Sequence, residues 1–167
     1  MPRPKSSKSI EERLDEIEDR FEILQLLASY GPAADSMNWP LMERIWAADM
    51  TYEMGVLGVA NGHDEWKRVL HGEFHQGLMK SGSAHLTMMP HVVSDGDRAT
   101  ATGYALVVKQ DSDDPGDEQF AIVRSTAVRW ELERSEGRWV IKRRRNQSLN
   151  GSGASKDLLR RVTEGPE

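Results

Sequence analysis

Apolar residues recur at alternating spacings of four and three near the start of the chain: Ile10, Leu14, Ile17, Phe21, Leu24 and Ala28. That rhythm predicts an amphipathic helix with its stripe turned to a core. Ser9, with Glu12 three residues on, predicts a capping box at its start. From Ile23 the apolar arc widens through Leu26, Leu27 and Tyr30, so the second half should be wrapped by the rest of the fold. Gly31-Pro32 predicts a kink or restart, with a short continuation through Asp35. Pro40 is a good first-turn residue for a second short helix carrying Leu41, Ile45 and Trp46. Met50 to Met54 reads as a strand, 55–62 as loop, and about 63–79 as a third helix with Trp66, Val69, Leu70 and Phe74 inward. The rest is β, with strands expected at 84–94, 98–110, 119–134 and 138–149. Their breaks are Asp95-Gly96-Asp97, the polar stretch 111–118 and Ser135-Glu136-Gly137. Phe120, Ile122, Thr126, Val128, Trp130 and Leu132 share one strand face. Helices followed by a long antiparallel meander predict an α+β fold.

This pattern sets the boundaries. Residues 1–8, with two prolines and three basic groups, are expected to form a disordered arm. Residues 9–150 form a single domain, and 151–167 a polar, mobile tail. The net charge of −5 argues against a nucleic-acid partner, whose phosphates favour a basic face. The chain has no Cys, which excludes disulfides, thiolate metal sites and thiol nucleophiles. No apolar run approaches the roughly 18 residues of a membrane span. The basic stretch MPRPKSSK has no apolar segment behind it, so a cytoplasmic protein is expected.

Within that frame a few polar residues fall on faces that should point inward. Asp35 continues the stripe of the first helix if the helix persists past Pro32; otherwise it is a turn or capping acid. Tyr30 lies on the wide apolar arc, and alone it reads as an ordinary core tyrosine. In a strand over 84–94, alternation puts His85 and His91 on one face with Thr87 and Met89. A His and an acid lining one cavity are equipment for proton abstraction. In the last strand, alternation groups Lys142 with Arg144 and Arg143 with Arg145. That run is either a solvated basic edge or the source of one inward cation for an oxyanion or anionic leaving group. His71 and His75 have the spacing of a metal pair, but Glu73 is misplaced for a zinc-protease motif and no third ligand is evident. No metal is expected.

Three runs then resemble a known family: LLASYGPAADSMNWPLMERIWAADMTYEMG, SAHLTMMPHVVSDGDRATATGYALVV and GRWVIKRR. In order and spacing they are similar to SnoaL-like proteins of the nuclear transport factor 2-like superfamily, over roughly residues 10–148. The resemblance implies a cone-shaped roll, with N-terminal helices packed on a strongly curved, mostly antiparallel sheet. Scytalone dehydratase, bile acid 7α-dehydratase and hexachlorocyclohexane dehydrochlorinase belong to that superfamily. Their shared Asp–His pair falls on Asp35 and His85, the Tyr of the two dehydratases on Tyr30, and the dehydrochlorinase Arg on Arg144. The implied activity is a cofactor-independent lyase acting on a hydrophobic small molecule, with Tyr30, Asp35 and His85 catalytic. Arg144, Tyr52, Met54, Met89 and His91 are the expected substrate-binding residues, and Met50, Met54, Met88 and Met89 suggest an adaptable apolar wall. An isomerase or cyclase is the near neighbour. The alternative is a non-catalytic ligand-binding or assembly domain, like the β subunits of ring-hydroxylating dioxygenases. Either way a homodimer or homotrimer is expected, because a curved open sheet leaves an apolar outer face to cover.

Overall fold

In the computed structural model, which describes residues 8–112, 116 and 119–166, helix α1 (Ile10–Asp35) opens at the capping box. Ser9 Oγ accepts the Glu12 amide at 3.0 Å, and the Glu12 carboxylate accepts the Ser9 amide at 2.6 Å. Residues 1–7 of the expected arm lie outside the described residues. Pro32 does not break α1: the helix runs on through Asp35 as one element, without the restart that Gly31-Pro32 also allowed. The carbonyl it cannot bond belongs to Ala28, which is exposed, so water can satisfy it. Ile23, Leu27, Tyr30, Ala33 and Ala34 are buried, as the widened arc requires. The stripe of the first half is not: Ile10, Leu14, Ile17 and Phe21 face solvent. The same helix therefore carries two apolar faces, and the fold uses one.

After α1 come α2 (Trp39–Ile45), β1 (Trp46–Glu53), β2 (Val59–Asn61), α3 (Gly62–His71) and α4 (Glu73–Lys80). The single third helix of the sequence reading is thus two, divided at Gly72. The β half comprises β3 (Ser83–Thr87), β4 (His91–Asp95), β5 (Arg98–Gln110), β6 (Phe120–Ser135) and β7 (Arg138–Ser148). Strand order is β2-β1-β7-β6-β5-β3, with β4 also paired to β5. Among the described residues only the β1–β7 pair is parallel, so the sheet is mixed, mostly antiparallel, curled and not closed. The α+β architecture is as expected. The core lies between the concave sheet face and the helices, around Trp46, Trp130, Ile23, Leu27, Met42 and Met50.

Two local departures change which side chains face inward. The expected strand 84–94 is cut at Met88-Met89-Pro90, so alternation does not carry from His85 to His91. Between β6 and β7 the register slips: Glu131 pairs with Arg143, but Leu132 pairs with Ile141. Lys142 is the extra residue of a β-bulge, which resets the alternation. Arg144 is buried, whereas Lys142 turns out to pair with Asp49 at 2.5 Å and Glu133 at 3.5 Å. The two do not share a face as the simple alternation had it.

The C-terminal stretch, expected to be a mobile tail from residue 151, contains helix α5 (Gly153–Arg160) with Ser155 and Leu158 buried. The cause is Arg129, buried on the outer sheet face. It donates to Thr102 Oγ1 (2.9 Å) and to the carbonyls of Arg161 (2.9 Å), Glu164 (3.0 Å) and Gly165 (3.3 Å). A buried guanidinium needs acceptors, and the chain end supplies them. Among the described residues no helix is long and apolar enough to cross a membrane.

Candidate functional site

The site forms where α1 crosses β3. At Gly31 the helix comes so close that an ideal Cβ would sit 2.1 Å from the His85 carbonyl oxygen. Only glycine allows that approach, and it brings the last residue of α1 onto the strand. Asp35 Oδ2 accepts the His85 backbone N–H at 2.8 Å, and Oδ1 accepts from the ring Nδ1 at 2.6 Å. The carboxylate thereby fixes the tautomer: the proton sits on Nδ1 and the lone pair on Nε2. The sequence reading of Asp35 as an inward acid, and of His85 as its partner, corresponds to this pair.

Around it stands an aromatic wall. The Tyr30 ring meets His85 edge-on at 6.3 Å, lies nearly parallel to Trp66 at 6.4 Å, and abuts Trp46 at 6.2 Å. The parallel pairing of β1 with β7 sets Tyr52 beside Arg144. The Arg144 guanidinium lies 4.2 Å from the Tyr30 ring centroid, 4.8 Å from that of Tyr52 and 5.5 Å from that of Trp130. Its Nε donates to Asn146 Oδ1 at 3.1 Å, and Asn146 Nδ2 donates to the Tyr52 hydroxyl at 3.0 Å. Burial, and then the neighbouring Tyr52, push the Tyr30 hydroxyl far above the usual phenol range, with Arg144 only partly offsetting them. Tyr30 is therefore a proton donor here and not a phenolate.

Arg144 is 3% exposed, has no carboxylate partner among the described residues, and keeps one buried nitrogen, Nη1, without any hydrogen-bond partner. A buried cation is costly unless something balances it. The ring faces supply part of that balance, and the open Nη1 donor marks where an acceptor belongs. His85, Tyr30, Tyr52, Arg144, Asn146 and Thr126 line one cavity, with Arg124 beside them. It measures about 10 Å³, room for about one water.

The family model for the SnoaL-like domain matches residues 15–145, most of the chain. The chain is a SnoaL-like protein. A nuclear transport factor 2-like protein with a cystatin-like fold from Novosphingobium aromaticivorans is 32% identical, with 92% of this chain and 99% of that one covered and a TM-score of 0.83. A structure from Catenulispora acidiphila in complex with S-DNPA matches at 22% identity, over 80% of this chain and 95% of that one, with TM-score 0.66. Hexachlorocyclohexane dehydrochlorinase LinA-type3 from Novosphingobium barchaimii LL02 matches at 15% identity, over 82% of this chain and 90% of that one, with TM-score 0.68. The last two show a shared fold. No curated protein sequence matches the chain.

In this SnoaL-like chain the structure brings together Tyr30, Asp35, His85, Arg144 and Tyr52, but not the other residues selected from sequence. Met89 is 86% exposed and His91 is exposed on β4, because the break at Pro90 carries the chain away from the cavity. Met54 is buried, yet only its carbonyl reaches toward the site, accepting from Arg124 Nη2 at 3.4 Å. Met50 lies in the core and Met88 on the surface, so the expected methionine wall does not form. Asn146 escaped the sequence reading, although its spacing of two from Arg144 placed it on the same strand face.

His75 also escaped it, having been weighed only as a metal ligand with His71. The helix break at Gly72 separates those two. His75 is instead buried against His85, with ring centroids 5.6 Å apart and its Nδ1 on the Leu70 carbonyl at 3.0 Å. Its Nε2 is buried without a partner. Burial, and secondarily the neighbouring His85, hold its pKa below the ordinary histidine value, against the opposing Leu70 carbonyl and Asp35. The sign follows. The unfolded chain binds a proton at about pH 6.5, where folded His75 does not. Its contribution to stability is full above that pH and is lost as pH falls through the lower folded value. A urea midpoint that drops between pH 7.5 and pH 5 is expected, with a shallower drop in His75→Leu. Equal slopes in the two proteins would remove His75 as the cause.

Proposed function

We propose that the protein is a cofactor-independent lyase that abstracts a proton from a hydrophobic carbonyl compound and expels a leaving group from the adjacent carbon. The observation that carries this reading is the pairing, in one cavity, of a carboxylate-braced imidazole with a buried cation lacking a counter-ion. His85 Nε2 takes the proton from the carbon beside the carbonyl, and Asp35 stabilises the imidazolium through Nδ1–H. The electron pair of the broken C–H bond moves to the carbonyl oxygen, where Arg144 Nη1–H meets the developing charge. The enolate then collapses, the leaving group departs with its bonding pair, and His85 returns the proton to a leaving hydroxyl or to solvent. Tyr30, kept protonated by burial, forms with Trp46 and Trp66 the aromatic wall against which the carbonyl end packs. An isomerase would use the same first step and return the proton to a different carbon. The matched dehydrochlorinase fold is consistent with an elimination.

The cavity size favours one other reading. With room for about one water, the cone in that reading is a filled binding or assembly domain in which Asp35–His85 is structural. A panel of apolar β-hydroxy and β-halo ketones separates the two. Trp46 and Trp66 flank Tyr30, so their fluorescence reports binding, and enone absorbance reports elimination. The lyase reading expects turnover of at least one member, reduced about 10²–10³-fold by Arg144→Met. Binding without turnover, or turnover unchanged by that substitution, would favour the other.

A further inference from the structure

We infer that the exposed seam of α1 pairs with the same seam of a second copy of this chain, as a short parallel coiled coil. The inference is independent of the chemistry proposed above. Ile10, Leu14, Ile17, Phe21, Leu24 and Ala28 keep a strict four-three alternation, the repeat of a two-helix seam. Ile10 is 83% exposed, Leu14 52%, Ile17 62% and Phe21 62%. The helix has no buried residue before Ile23. Its ties to the sheet there are Asp19, which meets Arg134 and the Trp139 indole N–H (3.1 Å), and Glu22, 3.9 Å from Arg134, both from the far side. From Ile10 to Phe21 the seam is thus a second apolar face, turned away from the one that packs on the domain, and at Leu24 and Ala28 it runs into the groove beside Met88 and Met89.

The flanking charges choose both the occupant and its direction. Along one border of the seam lie Glu11, Glu18 and Gln25, and along the other Arg13 and Arg20, all exposed. In a parallel pair each border meets the opposite border of the other helix, five positions on. Arg13 then faces Glu18 of the partner subunit, twice by symmetry, and Arg20 faces Gln25 of the partner subunit. An antiparallel pair would set arginine against arginine and glutamate against glutamate. A lipid surface fits less well, because the rest of the helix is acidic (Glu12, Asp15, Glu16, Asp19 and Glu22) where interfacial helices are basic. A seam this short is marginal alone. Met88 and Met89, at the turn between β3 and β4, line an apolar groove of about 410 Å³ with Phe21 and Leu24 and extend the contact.

The absence of native cysteine makes the test direct. In a parallel pair a residue on the seam faces its own copy, within disulfide reach. Under mild oxidation the full chain carrying Leu14→Cys or Ile17→Cys should cross-link to a dimer, and Glu12→Cys, off the seam, should not. Sedimentation equilibrium of the unmodified chain should give a dimer. Leu14→Glu/Ile17→Glu should weaken it at least about a hundredfold with the circular dichroism spectrum retained. Arg13→Glu should weaken it, and Arg13→Glu/Glu18→Arg restore it. A monomer or trimer at micromolar concentration, a dimer indifferent to Leu14→Glu/Ile17→Glu, equal cross-linking of Glu12→Cys, or sedimentation of a monomeric chain with anionic vesicles would each overturn the proposal.

Discussion

Gly31→Ala is expected to destabilise the protein by about 3 kcal/mol or more, a large effect for one methyl group. On an isolated helix the same change would help, because glycine is about 0.5–1 kcal/mol worse than alanine in a helix interior. The sign reverses here because the new Cβ would lie 2.1 Å from the His85 carbonyl oxygen and 3.2 Å from its carbon. Those are backbone atoms of β3, held in the ladder with β5, and cannot swing aside as a side-chain tip would. Either α1 lifts or β3 shifts, and in both cases Asp35 loses the His85 amide. Gly77→Ala is the control: Gly77 also lies in a helix, and nothing stands within 4 Å of its ideal Cβ. Urea denaturation of both variants should move in opposite directions, Gly77→Ala upward by up to about 1 kcal/mol. If Gly31→Ala is as mild as its control, α1 and β3 do not approach as described.

His85→Ala is expected to lower turnover of a substrate found with the ketone panel by about 10²–10⁴-fold, the range a positioned general base supplies. Stability should change little. Asp35 keeps its acceptor bond to the backbone N–H at position 85 and is partly solvated, so no fully buried charge is stranded. Asp35→Asn tests the brace separately. An asparagine can offer its NH₂ to Nδ1, which moves the ring proton to Nε2 and removes the lone pair facing the cavity. The loss should fall mainly on kcat, with KM nearly unchanged, because neither substitution removes the aromatic wall. A fully active His85→Ala enzyme would end the proposed mechanism.

Much of this arrangement was legible in the sequence, for identifiable reasons. Long strands with strong turn signals at Gly96 and Gly137 came through as β5, β6 and β7 because their alternation is carried by many residues. Asp35 and His85 stood out because a carboxylate on an apolar stripe and a lone strand histidine are unusual alone and complementary together. What failed was parity. One extra residue at Lys142 and one break at Pro90 each reset the alternation within the expected strand that contains it, and a period-of-two argument cannot see either. The burial of the α1 stripe was misjudged for another reason. Periodicity reports that a face is apolar, not which molecule covers it. The ordered C-terminus was invisible because its anchor, Arg129, lies far away in sequence on β6 and looks like a surface cation until the sheet is assembled.

The parallel pairing of β1 with β7 also constrains when the protein can become itself. Tyr52 and Arg144 are neighbours in space and nearly a domain apart in sequence. Contacts of that separation form late, since the intervening chain must close a large loop before they contribute. A chain emerging during synthesis can complete α1, α2 and the β3–β5 pairing, but the cage of Tyr30, Tyr52 and Trp130 stays without its cation until the seventh strand docks. Until then Trp46 and Trp66 border an unfilled apolar cleft, the kind of surface that draws chaperones or sticks to other chains. The residue that completes the cage is therefore also among the last to arrive, and a population truncated before β7 should be an aggregating species rather than a smaller folded domain.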